Sequence, residues 1–323
     1  MEENQIQSKA EDPGQGYTRV YLVLLAAIVL LALFFAFSRS LSLLGEFTPP
    51  DSVDWLFLLL ALVCNLLFWL VASMAWQITI WRICEHKIKL LYSFAQIALV
   101  LVGKYIPGKV WGLAIRGKDL TRQGVSNYQA VICSQVEQLI SIHAGITIGL
   151  AGWLLYEKPV YWQIFITILL VIPLLGSILN NFFVGKIVQL VSRFIRSVNF
   201  SEHEISFSTY IVLFVMYILE WLVIGGILYC LWMAVFLPGF DLITTTQIIS
   251  VNALAFVLGF LAVFAPGGIG VREGVLVALL TATMGLTQAI YISVLFRIWL
   301  IFTDAIAGLL SLKIISDDQK ANP

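Results

Sequence analysis

Apolar residues in this chain come in long blocks. Val20 to Phe37, Trp55 to Trp76, Tyr128 to Tyr156, Trp162 to Phe183, Ser208 to Leu237 and Tyr291 to Ile315 each stay hydrophobic over most of their length. Crossing about 30 Å of hydrocarbon takes roughly 20 such residues in a helix, so each block predicts one transmembrane span. Two further blocks behave differently. Leu91 to Val102 is too short to cross and runs into Gly103-Lys104-Tyr105-Ile106-Pro107-Gly108-Lys109-Val110-Trp111-Gly112, after which a second short stretch ends at Arg116. Gln247 to Ala265 runs into Pro266-Gly267-Gly268-Ile269-Gly270-Val271-Arg272-Glu273 and resumes as far as Met284.

Proline removes a helix donor and clashes with the preceding turn, and glycine admits backbone angles that other residues resist. Each region therefore predicts a broken helix. Hydrocarbon offers no partner for the freed amides and carbonyls, so such backbone persists only against protein or in a wet cavity. The expected fold is an all-α polytopic membrane protein with about six full spans and two re-entrant hairpins, near 91–116 and 247–284. In the alternative, the broken segments cross fully and give eight spans. The order span, hairpin, span appears twice with opposite entry sides, an inverted repeat of the kind that points to a transporter's binding site.

Composition agrees with a bilayer as solvent: 60% of the 323 residues are hydrophobic and 12% charged, with a mean hydropathy of +0.94. The net charge of zero gives no sign of a nucleic-acid partner, and the placement of the charges says more. With the amino terminus inside, thirteen of the 19 basic residues, among them Arg82, Lys87, Lys89, Arg116, Arg122 and Lys313, fall on the inner face, and only Arg39 and Lys158 fall outside. That is the positive-inside pattern, and it places both termini in the cytoplasm. The polar stretches 1–17 and 316–323 read as tails flanking one membrane domain at 18–315, with Val20 to Phe37 an uncleaved first span rather than a signal peptide. Cys64, Cys84, Cys133 and Cys230 show no paired spacing; they read as small hydrophobes, and neither metal nor cofactor is expected.

Lys104, Lys109, Arg272 and Arg297 remain at membrane depth, with Glu137, Glu220, Glu273 and Asp304. Ionisable groups there cost about 2.5–3.5 kcal/mol each on insertion scales and mark function when they are kept. One reading is mutual neutralisation, Arg272 with Glu273 or Glu137 and Arg297 with Asp304. Arg297 and Asp304 are two turns apart on one face, about 10 Å, so they share a cavity more readily than they touch. The other reading is an anion site: broken-helix amino termini expose N–H groups and a positive dipole end, and Gly267, Gly268 and Gly270 admit close backbone approach. The candidate substrate-binding set is Lys104, Pro107, Gly108, Lys109, Glu137, Pro266, Gly267, Gly268, Gly270, Arg272, Glu273, Arg297 and Asp304. His143 reads as a satisfied interior histidine, and Glu220 as either a counter-ion or a helix-to-helix hydrogen bond.

Tyr105-Ile106-Pro107-Gly108-Lys109-Val110-Trp111-Gly112, the Glu137 span and Pro266-Gly267-Gly268-Ile269-Gly270-Val271-Arg272-Glu273-Gly274 together resemble the lysylphosphatidylglycerol synthase transmembrane region, over roughly residues 18–315. The resemblance implies a flippase moving a charged phospholipid or lipid-linked headgroup between leaflets of a prokaryotic plasma membrane. It implies partners among membrane lipids with anionic or phosphate-bearing headgroups, and it leaves open a lipid-synthesising enzyme or a homo-oligomer as further partners. The soluble aminoacyl-transferase part of the bifunctional synthases is lacking, so lysyl-lipid synthesis is not expected of this chain. A membrane-embedded transferase on lipid-linked substrates, or an accessory subunit of a lipid-modifying system, are the alternatives.

Overall fold

A computed structural model describes residues 52–105, 111–157, 205–262 and 265–321, together with the isolated positions Leu175, Ile178, Phe182 and Lys186. The expected spans Val20 to Phe37 and Trp162 to Phe183 lie outside the described residues, as do Pro107, Gly108 and Lys109. Among the described residues there are eight α-helices and no strand. They are α1 (Trp55–Cys84), α2 (Leu90–Gly103), α3 (Trp111–Arg122), α4 (Asn127–Glu157), α5 (Phe207–Phe236), α6 (Leu242–Leu261), α7 (Val271–Met284) and α8 (Leu286–Ala321), with a 3-10 turn at Pro266–Gly268 between α6 and α7. Five of the described helices, α1, α4, α5, α6 and α8, are long and apolar enough to cross a membrane. The protein is an all-α polytopic membrane protein.

Helices begin where a short polar side chain can take an orphan amide. Asp54 accepts from Leu56 N at 2.8 Å, Ser206 from Thr209 N at 3.3 Å and Asp241 from Thr244 N at 2.8 Å. The Asp241 cap starts α6 at Leu242, five residues before the apolar block suggests. α8 likewise extends beyond its apolar block at both ends, because helical backbone continues on polar residues once it leaves the hydrocarbon.

Side-chain and backbone contacts fix the directions of the helices. Asp54 N donates to Ala234 O at 2.8 Å, and Ala75 packs with Tyr210 and Leu213, so α1 and α5 are antiparallel. The α4 glycines Gly145 and Gly152 face Val257 and Ser250 of α6, so these two helices are antiparallel as well. Within the hairpins, Asp119 of α3 accepts from Tyr92 and Gln96 of α2, while Gly112 lies against Val100. Gly259 lies against Arg272, and Thr283 reaches Gln247 at 3.3 Å. Each pair of arms thus doubles back to the face it came from. Broken segments that crossed fully would have collinear arms, so the eight-span alternative is excluded.

α2–α3 enters from the face where α1 ends, and α6–α7 from the face where α5 ends. Because α1 and α5 are antiparallel, those faces are opposite. The sets α1, α2–α3, α4 and α5, α6–α7, α8 are therefore related by inversion. The largest buried cluster joins α1, α5, α6, α7 and α8 around Leu228, Ile248, Leu280 and Phe296, and Leu56, Leu59, Leu66 and Leu70 of α1 stay exposed, as a lipid-facing surface requires.

The inner arm contact gives a test. A Cβ on Gly112 would lie 2.7 Å from Val100 Cα and 3.0 Å from Leu99 O, whereas one on Gly117 of the same helix meets nothing within 4 Å. Gly112→Ala is expected to cost about 1–3 kcal/mol through overpacking against backbone, and Gly117→Ala to be neutral or to gain up to about 1 kcal/mol of helix propensity. Thermal unfolding of the two detergent-solubilised variants separates these outcomes.

Candidate functional site

The two hairpin tips meet. Gly267 holds a φ of +58°, a conformation suited to glycine. A Cβ there would stand 3.4 Å from Lys104 O, 3.6 Å from the Tyr105 ring and 3.3 Å from Arg297 Nη2. Gly268, at φ +72°, backs onto Gly259 of its own first arm. The glycines thus allow one tip to close on itself and to press against the other.

Helix α8 ties both tips. Arg297 Nη1 donates to Gly267 O at 3.1 Å and pairs with Glu273 at 3.2 Å, holding the second hairpin. Two turns further on, Asp304 pairs with Lys104 Nζ at 2.7 Å and accepts from Tyr105 OH at 2.7 Å, holding the first. The expected alternative pairing of Arg297 with Asp304 is corrected: seven residues along one helix face set them too far apart, and each serves a different hairpin. Glu273 also accepts from Gly270 N at 2.7 Å, so the amino-terminal anion position of α7 is partly filled by the chain's own carboxylate. Gly270 has nothing within 4 Å of a built Cβ; it serves the cap through a φ of +85°.

Arg272 pairs with neither Glu273 nor Glu137. Its guanidinium lies 3.4 Å from the centroid of Phe256 and 4.9 Å from that of Phe296, it is 4% exposed, and its Nε has no partner. Arg297 Nη2 is also buried without a partner. Arg272 has no carboxylate within ion-pair reach among the described residues.

Glu137 belongs to a second network. It pairs at 2.5 Å with Arg116, which also donates to Ser134 at 2.7 Å and lies 3.7 Å over the Trp76 ring. Arg116 is fully buried, which corrects its assignment to the inner-face charges: α3 turns this residue into the bundle, toward α1 and α4. The network continues through Trp76, which donates to Gln96 at 2.6 Å, to Asp119. Sequence reasoning missed Arg116, Tyr105 and Asp119, whose partners are 18 or more residues away. The cysteines are free, yet Cys84 and Cys133 sit 3.2 Å apart across α1 and α4.

Between these networks lies a cavity of about 250 Å³, lined by Lys104, Glu137, Glu220, Phe256, Leu300 and Asp304, among others. Phe256 stands between the cavity and Arg272. The candidate residues Lys104, Gly267, Arg272, Glu273, Arg297 and Asp304 are brought together at the tips, with Pro266 and Gly268 shaping the turn, while Glu137 lines the cavity from the far wall. No group of three metal-ligating side chains occurs among the described residues.

Residues 20–308 match the model of the lysylphosphatidylglycerol synthase TM region family. No curated protein matches the chain.

Removing one partner of a buried pair leaves the other charge uncompensated, which costs more than replacing both. Asp304→Ala is expected to lower stability by about 3–5 kcal/mol, because it strands Lys104 and the Tyr105 hydroxyl. The double variant Lys104→Met with Asp304→Leu should recover most of that loss. Equal melting temperatures for the single and double variants in detergent would show that the pair does not hold the first tip.

Proposed function

The chain belongs to the lysylphosphatidylglycerol synthase TM region family, whose members handle membrane lipid, and we propose that it moves a phosphate-bearing lipid headgroup between leaflets. The observation that carries this reading is the meeting of two broken-helix tips around the buried cations Arg272 and Arg297 and the half-buried Lys104, against two carboxylates, Glu273 and Asp304. The excess positive charge and the unpartnered Arg272 Nε and Arg297 Nη2 suit an anion with several acceptor oxygens.

Lys104 is the cation of this set that reaches the cavity, and it makes first contact with the phosphate. A turn of the Phe256 ring then opens Arg272 to the same space, where its planar fork can bind two oxygens at once. Gly267, Gly268 and Gly270, with Pro266, keep the backbone low enough for the headgroup to pass between the tips. Pro107, Gly108 and Lys109 are assigned by their motif to the same headgroup site, and Glu137, held by Arg116, forms the opposite wall. Acyl chains stay outside, along exposed apolar faces such as that of α1. The distribution of basic residues flanking the spans supports a cytoplasmic location for both termini.

Purified protein in vesicles is expected to equilibrate a fluorescent phosphatidylglycerol between leaflets faster than empty vesicles do. Loss of a charge-assisted hydrogen bond is worth about 1.5–3 kcal/mol, so Arg272→Ala should slow translocation by about tenfold or more. Arg272→Lys keeps the charge but loses the fork, and should fall between. Leaflet exchange no faster with the wild type than in empty vesicles would refute transport.

A further inference from the structure

The ion pairs at membrane depth use up every carboxylate there among the described residues except one. Glu273 is held by Arg297, Asp304 by Lys104 and Glu137 by Arg116. Glu220, in the middle of α5, has no ion-pair partner, and its Oε2 is buried with no hydrogen bond. It lines the cavity whose far side carries Lys104 and Asp304.

The surroundings of Glu220 argue against a permanent charge. On its own helix, Tyr217 and Trp221 line the same cavity, and the Trp221 indole N–H is committed to Ser141 O at 2.8 Å. From α4 come Gln138, Ser141 and Glu137, the last a like charge already neutralised by Arg116 of α3; His143 of α4 lies near Tyr210 instead. From α6 come Phe256 and Val257, and from α1 Phe68. An ionised carboxylate without a counter-ion or donor in such a lining is poorly solvated, whereas a carboxylic acid has no charge to solvate.

One cation, Arg272, also lacks a carboxylate. It lies behind Phe256, which packs edge-on against Trp221 at 5.6 Å between ring centroids, so the Phe256 ring stands between the unpaired cation and the cavity that the unpaired acid lines. We propose that Glu220 is a proton-binding site, and that a proton on Glu220 accompanies the anionic headgroup held at Arg272. This proposal rests on the headgroup reading above. A carboxylate on Glu220 would repel an incoming phosphate, whereas a protonated Glu220 leaves the positive excess of the tips to be balanced by the phosphate itself. The proton is taken from water on the entry side, sits on the Glu220 carboxylate, and returns to water on the exit side, so proton and anion move in one direction as a neutral pair.

The test uses the full chain in phosphatidylcholine vesicles with a fluorescent phosphatidylglycerol and an imposed pH step. One proton per anion drives about a tenfold leaflet ratio per pH unit, so the wild type is expected to enrich the probe in the leaflet facing the alkaline side by that amount. Glu220→Gln, which mimics the neutral acid, is expected to equilibrate the probe without enrichment. A wild type that translocates but holds an even ratio under the pH step overturns the proton site and leaves the transport reading intact. If the wild type does not translocate, infrared spectroscopy decides independently. A protonated-carboxyl band present in the wild type, absent in Glu220→Gln and retained in Glu220→Asp supports the site; its absence from the wild type overturns it.

Discussion

An interrupted helix inside a bilayer needs protein to replace the partners that hydrocarbon lacks, and here that need is met by one helix. α8 carries Arg297 and Asp304 two turns apart, and each ties one hairpin tip. The other features at the tips depend on these ties. Gly267 can press against Lys104 and Tyr105 because Arg297 holds its carbonyl, and Tyr105 can present its ring to that contact because Asp304 holds its hydroxyl. A single continuous helix thus fixes two independent breaks to one frame, which is why charges at this depth persist in a span otherwise built of Leu, Ile, Phe and Trp.

How much of this was legible in the sequence varies with the distance between partners. The long apolar blocks marked four of the described spans, since crossing a bilayer is a requirement on length and composition alone. Pro266-Gly267-Gly268 marked a break because its cause is local: a missing donor and a glycine conformation. The inversion of the two halves followed from the order of these elements. Pairing did not follow, because every observed ion pair joins residues distant in sequence, whereas the pairs that were local, Arg272 with Glu273 and Arg297 with Asp304, are not formed. Arg116 was hidden by its neighbours Lys118 and Arg122, with which it read as an inner-face charge, while the fold turns Arg116 onto Trp76 and into the bundle.

The two kinds of cation at the tips are bound in different ways. Lys104 and Arg297 are paired with carboxylates, and their charges are spent on holding backbone in place. Arg272 rests on two phenylalanine rings, an attraction to the ring faces that leaves its Nε without a partner. A lysine would have no plane to stack, and a carboxylate partner would occupy the donors. Stacking therefore separates the two cations fixed by carboxylates from the one held by ring faces alone.

The geometry of the inverted halves also sets where the two tips meet. Hairpins entering from one face alone would leave their tips at unequal distances from the two aqueous phases, with one leaflet favoured. Here the arms run in from opposite ends of the bundle and stop against each other at the contact between Gly267 and Lys104. The cavity beside it is bounded by Glu137, Glu220 and Trp221 on one wall and Lys104, Leu300 and Asp304 on the other. Its polar groups stand on both walls, Lys104 and Asp304 at the tips and Glu137, Gln138, Ser141 and Glu220 opposite, so the cation at the tips faces a wall whose charged groups are carboxylates.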